Sequence, residues 1–264
     1  MSNCSGPRNG FWSSSSCSLN ETTHLSPRRR FNLKLYLVGK PRLEWQEFAR
    51  FARDESLPEA CQYMVEPPSD GETLAEIGGR LCYMSFGKGR KTNAQYLANI
   101  IGQQHFSVLE HANYTFIFTG VSRSLTHELV RHRHFSFSQL SQRYVDHSTA
   151  KLVMAAELEN TSLGQLLNEH FERSRERYHH AMEELHETVE ETTTTETKRM
   201  RGLARGFLLE STETKIMVTG NARTWREFIQ KRNSPHADRE IRDLASAVLD
   251  VLAREAPHIF GDLT

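Results

Sequence analysis

Residues 128–144 read E-L-V-R-H-R-H-F-S-F-S-Q-L-S-Q-R-Y, and no other stretch gathers so many cationic and hydroxyl groups with so little acid. Arg131, Arg133 and Arg143 stand with His132 and His134 beside Ser136, Ser138 and Ser141, and no carboxylate follows Glu128 within the stretch. Clustered like charges are costly unless solvent or an external anion balances them. Arginine's planar fork of donors matches phosphate oxygens in pairs, and serine hydroxyls can satisfy the acceptors that remain. The chemistry this segment suits is therefore the binding of a phosphate. Phe135 and Phe137 alternate with Ser136 and Ser138, so an extended backbone sends both rings to one side and both hydroxyls to the other. Leu125, Leu129 and Val130 form an apolar lead-in that puts Glu128 and Arg131 on one helical face. A second reading of the same residues is a module for RNA or single-stranded DNA, with Phe135, Phe137 and Tyr144 stacking on bases.

Arg131, His132, Arg133, Ser136, Ser141 and Arg143 fit the pattern R-H-R-x-x-S-x-x-x-x-S-x-R, six fixed residues over thirteen positions. This spacing resembles the signature of the flavin-dependent thymidylate synthases. Separate stretches resemble the same family. H-F-S-V-L-E-H-A-N-Y-T-F begins at His105, and N-A-R-T-W-R-E-F-I-Q-K-R, from Asn221 to Arg232, fits N-x-R-x-W-x-x-F-x-x-x-R. Gly79-Arg80-Leu81-Cys82-Tyr83 is similar to the family's early helix, A-D-R-E-I-R from Ala237 to the helix that follows the C-terminal motif, and Ala204-Arg205 to its Ala-Arg pair. Three positions depart from the pattern: Glu210 stands where proline is common, Glu227 where Asn or His is usual, and Asp238 where glutamine is frequent.

The resemblance implies an α/β (α+β) fold, an antiparallel sheet flanked by helices, assembled as a homotetramer with sites shared between subunits. It implies reductive methylation of dUMP to dTMP, with methylenetetrahydrofolate as carbon donor, FAD as redox carrier and NADPH as reductant. By position, Ser107, Arg131, His132, Arg133, Gln139, Asn221, Arg223 and Glu227 would contact FAD. Glu128, Arg131, Gln139, Leu140, Ser141, Gln142, Arg143, Arg205 and Arg232 would surround the nucleotide. Arg232 is the candidate catalytic residue, because a fixed cation beside the uracil carbonyls stabilises charge developing on the ring. Ser141 and Arg143 are expected to hold the substrate phosphate. No G-x-G-x-x-G or P-loop motif is present, so the nucleotide cofactors need another kind of cradle.

The elements that must position these groups follow from periodicity. Leu33, Leu35 and Leu37 alternate with polar neighbours and predict a strand over 31–38. Helices are expected over 45–51, in the region 73–85, and over 93–103. Tyr114, Phe116 and Phe118 alternate with Thr115, Ile117 and Thr119 as in a strand, which Gly120 is expected to end. Leu166, Leu167, Phe171, Tyr178, Met182 and Leu185 predict a helix over 163–190 whose apolar stripe packs on the rest of the chain. The threonines 192–195 should interrupt it before another helix begins in 199–204. Residues 215–219 read as a strand, and Asn221 as the cap of a helix that buries Trp225, Phe228 and Ile229.

Residues 1–30 have the Ser-, Asn- and Gly-rich composition of a disordered tail, which leaves 31–264 as a single catalytic domain. Lys plus Arg equals Asp plus Glu at 33 each, so bulk attraction to nucleic acid or an anionic membrane is not supported and any anion site must be local. Cys4, Cys17, Cys61 and Cys82 match neither a disulfide framework nor a metal or redox pair, and Cys82 is expected to be buried. No metal site is expected. No apolar run approaches the ~20 residues of a membrane span, and the expected location is the cytoplasm.

Overall fold

The computed structural model describes residues 33–60 and 68–264. The expected tail at 1–30 lies outside the described residues. Its centre is a four-stranded antiparallel sheet in the order β1-β2-β4-β3. Its strands are β1 (Lys34–Gly39), β2 (Asn113–Ser122), β3 (Ser136–Gln139) and β4 (Glu213–Asn221). This is the α+β class expected from the sequence.

Alternation along the strands becomes two faces of one sheet. Leu37, Phe116, Val218 and Phe137 stand in register across all four strands, as do Leu35, Phe118, Ile216 and Gln139 in the next inward row. The outward row of Tyr36, Ile117, Met217 and Ser138 is half-buried to exposed. β2 does not stop at Gly120 as expected. The glycine takes φ +69° in a bulge between Thr119 and Val121, a conformation open to a residue without Cβ, and pairing resumes as far as Ser122.

The inward face is covered by α7 (Ala222–Arg232) and α8 (Arg239–Glu255), which place Trp225, Phe228, Ile229, Ile241, Leu244, Val248 and Leu252 in the main core. Each large apolar side chain removed from water contributes roughly 1.5–3 kcal/mol. Trp225 also donates its indole N–H to the Tyr114 carbonyl at 3.2 Å, so its polar atom is satisfied inside the core. A smaller cluster of Leu43, Phe48, Ala52, Ala60 and Phe86 sits under α1 (Trp45–Asp54).

α2 (Asp70–Tyr83) begins with a capping box between Ser69 and Glu72. Its buried Arg80 donates to Glu76 at 2.6 Å and to the carbonyls of Ser85, Lys88 and Arg90 at 2.7–2.9 Å. One guanidinium thereby shapes the chain that leads to α3 (Asn93–Gly102). Cys82, near the end of α2, is exposed and not buried as expected. It lies on the outer side of the helix, two residues past Arg80, whose side chain points inward.

α4 (Arg123–Leu129), α5 (Ser162–Glu187), α6 (Thr194–Ala204) and the short α9 (Pro257–Phe260) complete the chain. Phe171 and Tyr178 of α5 are buried as expected, but Leu166 is 61% exposed. The apolar stripe runs past the part of the helix that meets the rest of the chain. No helix among the described residues is long and apolar enough to cross a membrane.

Candidate active site

The arginine-rich segment is tethered at both ends. Ser122 caps α4, its hydroxyl accepting from Leu125 N at 2.9 Å, and Glu240 of α8 in turn accepts from Ser122 N at 2.8 Å and Oγ at 2.6 Å. α4 ends at Leu129, so Arg131 lies in the following turn and does not continue the helical face of Glu128; Val130, expected to anchor that face, is 37% exposed. Residues 136–139 are strand β3. Their rings and hydroxyls divide as expected: Phe135 is buried with its ring 4.4 Å from that of Trp225, and Phe137 turns inward at 6.0 Å from Phe135. A Cβ at Gly220 would come within 2.3 Å of the edge of the Phe135 ring, so the ring can pack there only against glycine. Phe135 is thereby removed from any base-stacking surface, and Phe137 is half-buried.

A cavity of about 460 Å³ opens between this turn and α7. The turn contributes Arg131, His132, Arg133 and His134, and α7 contributes Thr224, Glu227, Lys231 and Arg232. Among the described residues Arg131 and Arg133 form no ion pair. Arg232 is fixed from two sides, donating Nε to His132 Nε2 at 3.0 Å and Nη1 to Glu128 Oε2 at 2.8 Å. Among the described residues its Nη2 has no partner, which leaves a positioned donor at the cavity wall. His132 Nε2 must carry a lone pair to accept from Arg232, so the ring is neutral there. Burial holds its pKa below the ordinary histidine value, and Arg232 and Lys231 add to the effect. The ring stands edge-on to Phe228 at 5.2 Å. Glu227 pairs with Lys231 at 2.5 Å. That hydrogen bond, then the nearby His134 and His132, hold its carboxyl below the usual carboxylate range.

The other expected residues lie elsewhere on the chain. Ser107 and Arg223 line a second cavity of about 410 Å³ together with Tyr83, Tyr96 and His105, and Arg223 is paired with Glu110 at 2.6 Å. Asn221 is the N-cap of α7 as expected, its Oδ1 accepting from Thr224 N and Oγ1 at 2.9 Å. Gln139 points inward and donates to Thr126 Oγ1 at 2.9 Å, while Leu140 N donates to the Lys215 carbonyl. Ser141 Oγ accepts from Arg143 N at 3.2 Å. Gln142 is half-buried, Arg143 lies against Gly202 of α6, and Arg205 is exposed just past the end of that helix. A single copy thus groups Arg131, His132, Arg133, Glu227, Glu128 and Arg232, and holds the remainder apart.

Two guanidiniums escaped the sequence reading. Arg201, one turn before Arg205, donates to the Tyr144 carbonyl at 2.7 Å but keeps its Nε buried without a partner. Arg123, first residue of α4, keeps a buried Nη1 without a partner. Burial lowers its pKa, with Glu210 opposing and Arg205 adding to the shift. Buried donors left unpaired cost about 1–3 kcal/mol each. The i, i+4 spacing of Arg201 and Arg205 was a usable signal; nothing local marked Arg123.

The geometry belongs to a recognisable lineage. A family model described as thymidylate synthase complementing protein matches residues 62–258. The chain belongs to the flavin-dependent thymidylate synthase family. Over 198 residues it is 47% identical to the flavin-dependent thymidylate synthase of Mycobacteroides abscessus, covering 73% of this chain and 79% of that protein. The proteins of that name from Mycobacterium bovis and Mycobacterium tuberculosis are 46% identical over the same length. The matched region contains both cavities, the cationic turn and all of α7.

Proposed function

We propose that this chain converts dUMP to dTMP by reductive methylation, with methylenetetrahydrofolate as carbon donor, FAD as redox carrier and NADPH as reductant. The observation that carries the reading is Arg232, held by Glu128 and His132 in a cavity where, among the described residues, its remaining Nη2 has no partner and Arg131 and Arg133 have no acidic one. The residues fit a phosphate-bearing flavin: fixed cations, a neutral histidine and a helix start at Asn221 supply donors without a Rossmann loop. FAD, when bound, supplies the redox chemistry that side chains cannot.

The chain's own residues bind and orient. Arg131, His132 and Arg133 hold the flavin's phosphates or ring from the turn, with Ser107, Gln139, Asn221, Arg223 and Glu227 completing that contact set. Glu128, Arg131, the segment 139–143, Arg205 and Arg232 surround dUMP, with Ser141 and Arg143 on its phosphate. Arg232 stabilises negative charge on the uracil carbonyls as the ring carbon becomes nucleophilic. On one copy these residues fall into separate patches, which supports a homotetramer in which neighbouring subunits complete each site. The catalytic unit is the single domain 31–264, working in the cytoplasm.

Bound flavin is the first test. Purified protein should be yellow, with a visible absorbance band, and should release FAD on heat denaturation. A preparation that is colourless and takes up no added FAD would overturn the reading and favour the nucleic-acid module, whose binding should fall steeply with salt.

A further inference from the structure

Among the described residues Glu227 is the one carboxylate on the wall of the cationic cavity. As an exposed i, i+4 partner of Lys231 it would ordinarily be a surface helix pair of small consequence. Its surroundings argue for more. It shares the cavity wall with Arg232 of the same helix and with Arg131, His132, Arg133 and His134 of the turn, and it accepts from the ammonium of Lys231 at 2.5 Å. The charge of Lys231, itself on the cavity wall, is thereby engaged by a carboxylate, while the two arginines of the turn have no acidic partner among the described residues. An ionised carboxylate here also repels any phosphate that the arginines attract.

We propose that Glu227 is a resident counter-ion that an incoming phosphate displaces from Lys231, so that it sets how tightly this chain holds its phosphorylated cofactor. The inference rests on the reading of this cavity as a flavin-phosphate site. Lys231 changes partner on binding, from carboxylate to phosphate. The exchange leaves Glu227 beside a new negative charge, and the affinity is lower than a neutral residue at 227 would give. Glu227→Gln keeps the size and the helix but removes both the competition for Lys231 and the repulsion.

The test is titration of flavin-free full-length protein with FAD, followed by flavin fluorescence, for wild type, E227Q, K231M and the double variant. E227Q should bind FAD about tenfold more tightly, the order expected of one charge at a partly exposed site, with the gap narrowing as salt is raised. K231M should weaken binding severalfold more in the E227Q background than in the wild type, where Lys231 begins engaged. Equal or weaker FAD binding by E227Q overturns the inference while leaving the flavin site standing. FAD binding by none of the four proteins overturns the flavin reading and this inference with it.

Discussion

Replacing Arg232 by alanine separates a catalytic cation from a structural one. Arg232 lies at the last turn of α7, where a cation gains roughly 0.3–1 kcal/mol from the helix dipole. Its ion pair with Glu128 is partly exposed, at 24% and 34%, and a pair of this kind adds about 0.2–1 kcal/mol. Together these predict a fall in melting temperature of only a few degrees, since about 1 kcal/mol moves a chain of this size by roughly 2–4 °C. If the open Nη2 stabilises charge on the substrate, methylation should instead slow by roughly two to three orders of magnitude. Arg232→Lys should recover little, because one ammonium cannot hold Glu128 and His132 in the same fork and still present a third donor. Loss of Arg232 should also let His132 titrate at higher pH, readable from its ring proton shifts in NMR. Reduction of FAD by NADPH should survive both substitutions, since it needs no charge on uracil. Near-normal methylation by Arg232→Ala would refute the reasoning and move the electrostatic role to Arg131 or Arg205.

Other residues give further tests. Glu76→Ala strands the fully buried Arg80, so chemical denaturation should show a loss of about 3–5 kcal/mol, and Glu76→Leu with Arg80→Met should recover only part of it, because the Ser85, Lys88 and Arg90 carbonyls then lose their donor. Glu240 has its pKa raised, chiefly by burial, against the lowering effect of Ser122. A folded pKa above the unfolded one contributes stability present at low pH and lost as pH rises through the folded value. Melting curves from about pH 4 to about pH 8 should therefore show wild type losing ground to Glu240→Gln as pH rises; the opposite slope would mean that the bonds from Ser122 outweigh burial.

The parts of the fold legible in the sequence were those fixed by neighbours in the chain. Alternation at Leu33–Leu37 and Tyr114–Thr119 set the strand faces, and Asn221 announced α7, because period and capping are local. The Gly120 bulge was illegible because its signal, one glycine, reads equally as a strand end. Cys82 and Leu166 were misjudged for one reason: type predicts average burial, while the side of the helix that meets the core is set by packing partners distant in sequence. In the site, the order of Arg131, His132 and Arg133 was plain, but the Arg232–His132 and Arg232–Glu128 contacts span 100 and 104 residues and only the fold joins them. Arg123 was invisible because its sign is an unpaired buried donor, which has no sequence counterpart.

The most direct measurement is the product itself. A methylene carbon needs two electrons to become a methyl group, so NADPH must be consumed in step with the nucleotide if the folate is to leave as tetrahydrofolate. Incubating the FAD-loaded protein with dUMP, methylenetetrahydrofolate and NADPH should give one dTMP per NADPH oxidised, with no dTMP when any one of the three is omitted. FAD-loaded protein that oxidises NADPH and forms no dTMP would contradict the account.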